Sequence, residues 1–143
     1  MSSAVQIMMA FLGSLGFSIL FNIRGIKLIV AALGGLLSWA IYLLAGIILN
    51  NPITQSFIAA ALITIYAEVC ARVMKAPTTT FLTAAIIPLV PGSALFYTMS
   101  YAVNGLFAEF VDSGAYTLSL ALALAAGIVV ASSLCRIGTV ILQ

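Results

Sequence analysis

Read from the N-terminus, the chain is a succession of long apolar runs separated by short polar breaks. The runs cover residues 4–23, 28–49, 53–73, 79–99 and 116–135, and each has about the 20 residues that a helix needs to cross a hydrocarbon core of about 30 Å. The breaks are of recognisable kinds. "RGIK" at 24–27 and "RVMKAPTTT" at 72–80 place basic residues and turn formers between runs, and "NNP" at 50–52 closes the second run while its proline opens the third. The pattern predicts an all-α, multi-pass membrane protein with five transmembrane helices in one domain, 1–143. The last break, "SYAVNGLFAEFVDSGAY" at 100–116, puts Leu106, Phe107, Phe110 and Val111 on one helical face and Glu109, Asp112 and Ser113 on another. It reads either as a helix lying flat at the interface or as an extension of the fourth span followed by a loop.

Composition agrees and narrows the function classes. Of the residues, 64% are hydrophobic and 6% charged, and the mean hydropathy is +1.30. Five basic and three acidic residues are too few and too dispersed for a nucleic-acid footprint. Histidine is absent, and Cys70 and Cys135 sit in apolar segments without CxxC spacing, so no metal site and no cofactor are expected. No nucleophile is paired with a base, which argues against a membrane enzyme. The first run has no basic segment before it and no small-residue cleavage pattern after it, so it reads as a retained span. With five spans, Arg24, Lys27, Arg72, Lys75 and Arg136 fall on one face and Glu109 and Asp112 on the other. The excess of basic residues in cytoplasmic turns then places the N-terminus outside and the C-terminus in the cytoplasm of a cell membrane.

Helices in lipid associate through close backbone approach at small residues and through interhelical hydrogen bonds. Three spans carry such residues at intervals of four: Ala10, Ser14, Ser18 and Asn22; Ser56, Ala60, Thr64, Glu68 and Arg72; Ser119, Ala123, Gly127, Ala131 and Cys135. The second row holds a carboxylate. Glu68 and Arg72 are one turn apart on one face, so they read as an intrahelical pair that lowers the cost of both charges. The functional alternative is that Glu68 takes up and releases a proton, with Arg72 setting its pKa.

The most unusual stretch is "IIPLVPGSALFY" at 86–97. A proline removes one helical hydrogen bond and clashes with the carbonyl four residues earlier, here those of Ala84 and Ile87. In hydrocarbon such a break is tolerated only where protein or a water-lined cavity covers it. Pro88 lies near the centre of a 21-residue run, which predicts a break at the midplane. Pro91 suits the first position of a new helix, leaving the N–H groups of Gly92, Ser93 and Ala94 free at the positive end of the dipole, an arrangement that suits a carboxylate. Ser93 and Tyr97 add hydroxyls. The plainer reading is a proline kink healed by neighbouring hydroxyls. Half-helices meeting inside the membrane are, however, how several secondary transporters build substrate sites.

"GFSILFNIRG" at 16–25, "YAEVCARVMKAPTTTF" at 66–81 and "IIPLVPGSALFY" together resemble the small membrane subunit of the threonine/serine exporter family, whose relatives include one half of a paired succinate exporter. The resemblance implies a secondary exporter module that moves small amino acids or dicarboxylates out of the cytoplasm with the proton gradient. It also implies a second multi-pass subunit as partner. The expectation is therefore a proton-coupled exporter subunit for threonine or serine, or next a succinate-like dicarboxylate, with substrate at Pro88, Pro91, Gly92, Ser93 and Tyr97 and proton coupling at Glu68 and Arg72. For an amino acid, Glu68 or the freed carbonyls of Ala84 and Ile87 would receive the ammonium. The rival reading is a non-transporting assembly subunit.

Overall fold

The apolar runs fold as helices that end at the polar breaks. The computed structural model describes residues 2–141, with side chains to residue 138, and those residues are helical apart from turns. Helix α1 is Ser3–Leu20, α2 Ile26–Ile48, α3 Pro52–Val73 and α4 Thr78–Ile86; a 3-10 turn, Ile87–Leu89, leads to α5, Gly92–Val103, and α6 is Phe107–Ile141. Four helices, α1, α2, α3 and α6, are long and apolar enough to cross a membrane; α4 with its turn and α5, bent by 60°, make a fifth crossing in two pieces.

Local chemistry sets the ends. Asn51 caps α3 by accepting the Ile53 N–H at 3.0 Å, and Pro52 fills the first position, where its missing N–H is not needed. Between α1 and α2 the chain reverses through Gly25 at φ 67, a conformation that costs glycine little.

α2 is the central helix, packing against α1, α3 and α4, while α3 packs most extensively against α6 and α5 lies along α6. The small-residue rows are the contact surfaces. Ser14 and Ser18 of α1, Ser56, Ala60 and Thr64 of α3, and Ala123, Gly127 and Ala131 of α6 are buried, whereas Asn22 and Arg72 at the row ends are exposed. A Cβ on Gly127 would stand 2.6 Å from the Phe57 carbonyl oxygen. α2 supplies a surface that spacing alone did not reveal: Ala31, Gly34, Gly35 and Ser38 are buried, and a Cβ on Gly35 would overlap the Ser14 hydroxyl.

α3 and α6 run parallel: Gly127 faces residues 57–61, and farther along both helices the Arg72 guanidinium donates to the Cys135 carbonyl at 3.1 Å. The end of α6 therefore shares a face with the two turns that carry Arg24, Lys27, Arg72 and Lys75, as the five-span count requires.

Two features differ from the sequence reading. The 100–116 segment is neither an interfacial helix nor a loop, because α5 ends at Val103, the chain turns through Gly105 at φ 71, and α6 starts at Phe107 rather than 116. With no proline in its 35 residues, α6 continues for about 52 Å, well beyond a hydrocarbon core. Secondly, the break is not central. Its neighbours are Tyr42, six residues before the end of α2, and Ser56, four residues into α3, so it lies only about 6–9 Å from the ends of those helices remote from the basic turns. Counting residues along a straight span misplaces it because α4 is only nine residues long.

Candidate functional site

The break is built by its two prolines. Pro88 has no N–H to continue α4, and the chain tightens into the 3-10 turn, in which the Val90 N–H donates to the Ile87 carbonyl at 3.2 Å. The Gly92 N–H then folds back on the Val90 carbonyl at 2.7 Å, and the Leu95 N–H donates to the Pro91 carbonyl at 3.0 Å, opening α5. Three expectations are corrected here. The Ile87 carbonyl is occupied and cannot receive an ammonium. Pro91 caps α5 rather than forming its first residue, since its ψ of 61° is not helical. Gly92 offers no free donor. Among the described residues, the N–H groups of Ser93 and Ala94 are the pair at the head of α5 without a backbone acceptor.

Two cavities open at this helix start. One of about 180 Å³ lies beside the break and is lined by Trp39 and Tyr42 of α2, Ser56 of α3, Pro88, Pro91 and Ser93, and Tyr116 of α6. The other, about 450 Å³ and open to the outside, lies between α5 and α6 and is lined by Ser93, Ala94, Tyr97, Tyr101, Glu109, Asp112, Ser113 and Tyr116. Ser93, Ala94 and Tyr116 belong to both. The α5–α6 wall is held by hydroxyls: the Thr98 oxygen lies 2.9 Å from that of Ser113 and 3.1 Å from that of Thr117, and Thr98 and Thr117 each sit close to a backbone carbonyl one turn back. The larger cavity thus has donors at one end and two carboxylates in its lining. Neutral zwitterions fit that arrangement; dianions meet the carboxylates.

Of the predicted substrate residues, Pro88, Pro91, Ser93 and Tyr97 line one cavity or the other, and Gly92 lines neither, with open space where its Cβ would be. Glu68 is half-buried on α3 and lines neither cavity. Glu68 and Arg72 do not form the expected ion pair, because Arg72 turns to the Cys135 carbonyl and ties α3 to α6. The sequence reading missed Glu109, Asp112, Tyr101 and Tyr116. Their signal was present: Glu109, Asp112, Ser113 and Tyr116 follow a three-to-four spacing on one helix face, which was read as the wet side of an interfacial helix.

The model of the family described as Threonine/Serine exporter, ThrE, matches residues 6–134. The chain belongs to that family. No curated protein and no solved structure matches it. Membership in an exporter family, together with the apolar helices, makes this a multi-pass membrane protein of transport type, and the match spans both sides of the proline break that distinguishes the fold.

Proposed function

We propose that this chain is the substrate-binding membrane subunit of a secondary exporter for threonine or serine. The observation that carries the reading is the start of α5: two unused backbone N–H groups, Ser93 and Ala94, at the wall of a cavity that also contains Glu109 and Asp112. The substrate carboxylate is held by those N–H groups and the Ser93 hydroxyl, at the positive end of the α5 dipole. The ammonium is held by Glu109 and Asp112, with the tyrosine rings of Tyr97, Tyr101 and Tyr116 beside them. A succinate-like dicarboxylate has a second anionic end where this cavity presents carboxylates, so threonine and serine are favoured over it.

Glu68 is the proton-coupling group of this reading, an ionisable side chain within a span and without an ion-pair partner among the described residues. The basic turns face the cytoplasm and α5 opens to the outside. A second multi-pass subunit covers the face of α5 turned away from α6, where Phe96 and Met99 are exposed, and alternating access is a rocking of the two subunits.

The test is counterflow of labelled threonine into liposomes holding the purified chain, alone and with its partner subunit. Exchange by the wild type that unlabelled serine competes and succinate does not, and that Glu109→Gln with Asp112→Asn removes, supports the reading. Succinate competing as well as serine contradicts the amino-acid assignment, and absence of exchange under every condition leaves the assembly-subunit reading standing.

A further inference from the structure

At the opposite end of the molecule, two hairpin turns far apart in sequence meet around a cavity of about 520 Å³, lined by Phe21, Asn22, Arg24, Lys27, Thr79, Thr80 and Thr83 among others. Its charge is one-sided. Arg24 is positioned by its Nε–H, which donates to the Asn22 Oδ1 at 2.9 Å, so both terminal amino groups of the guanidinium remain available. Lys27 is half-buried in the first turn of α2, where the helix dipole disfavours a cation. None of the chain's three carboxylates, Glu68, Glu109 and Asp112, lines this cavity. Two cations sharing a concave site with threonine hydroxyls, and with no anion from the protein, have an unmet electrostatic demand. The surroundings say what kind of anion meets it: Leu20, Phe21 and Ile26, on the same turn, are 76%, 51% and 65% exposed. The polar cavity therefore sits directly against apolar surface, at the level where the spans end.

We propose that this cavity binds the phosphate of an anionic phospholipid, with Arg24 and Lys27 pairing the phosphate oxygens, Thr79 and Thr80 donating hydroxyl hydrogen bonds, and Leu20, Phe21 and Ile26 lying along the acyl chain. A free phosphate has the same oxyanion but makes no use of the apolar margin. The site joins the α1–α2 hairpin to the start of α4, so a bound lipid braces the half-helix that leads to the proline break. This site is independent of the substrate reading.

The experiment is native mass spectrometry of the purified protein, delipidated and then titrated with phosphatidylglycerol or with phosphatidylcholine of the same acyl chains. The proposal expects retention of phosphatidylglycerol over phosphatidylcholine. It expects a loss of roughly tenfold or more in Arg24→Gln with Lys27→Gln, and a smaller loss in Lys27→Gln alone. Lys75→Gln, on the same face but outside the cavity, retains the lipid as the wild type does, and millimolar inorganic phosphate does not displace it. Equal retention of the two lipids, equal retention by wild type and double variant, an equal loss in Lys75→Gln, or displacement by inorganic phosphate overturns it.

Discussion

Replacing Gly35 by alanine tests the packing that holds the first hairpin together. Gly35 is buried on α2, and its added Cβ would overlap both the Oγ and the Cβ of Ser14, itself fully buried on α1. Neither helix can shift freely, because only five residues, 21–25, join them. Overpacking of this kind typically costs about 1–3 kcal/mol, while glycine to alanine inside a helix gains up to about 1 kcal/mol, so a net loss of about 1–2 kcal/mol is expected. Gly16→Ala on α1, where nothing lies within 4 Å of the new Cβ, is the matched control and should be neutral or stabilising. Ser14→Gly introduced together with Gly35→Ala removes both overlapping atoms. It also removes a hydroxyl that has no hydrogen-bond partner. The double variant should therefore show a favourable coupling of about 1 kcal/mol or more. The assay is reversible unfolding in mixed micelles followed by circular dichroism. Equal effects of Gly35→Ala and Gly16→Ala, or strict additivity in the double variant, would refute the reasoning.

Two further outcomes follow from other parts of the structure. Thr98→Val leaves the Ser113 and Thr117 hydroxyls without their partner across the α5–α6 wall; it should cost about 1–2 kcal/mol in the same unfolding assay and raise the KM for threonine in counterflow, and an unchanged KM would show that this wall does not shape the site. Glu68→Gln should abolish threonine movement driven by a pH gradient while leaving gradient-free counterflow and assembly intact, and undiminished gradient coupling would remove Glu68 from the mechanism.

The fold was legible where chemistry acts locally. Apolar run length gave the spans, Asn51 and Pro52 the start of α3, and the prolines the interruption at 88–91, because each depends on residues within a turn of one another. The small rows of α1, α3 and α6 were legible for the same reason, since one helix face is a periodic property. What was lost depended on neighbours. The depth of the break follows from the helices beside it, and Arg72 chose a carbonyl of α6 over the nearer Glu68 because α3 and α6 run parallel in contact. The Gly34–Gly35 surface of α2 was hidden by a helix apolar on every side. Glu109 and Asp112 became site candidates only once α5 folded back along α6, which no spacing within 100–116 announces.

The central claim is that the head of α5 holds the substrate through backbone N–H groups, and Ala94→Pro tests it most directly. Ala94 is the third residue of α5, whose N–H makes no intrahelical bond, and proline is tolerated in the first helical turn. The substitution therefore deletes a donor with little cost to the helix, and Ala94→Val serves as the control for added bulk with the N–H retained. In liposome counterflow of labelled threonine, the account predicts that Ala94→Pro loses most of the exchange while Ala94→Val keeps it. Exchange by Ala94→Pro at the level of Ala94→Val would contradict the account.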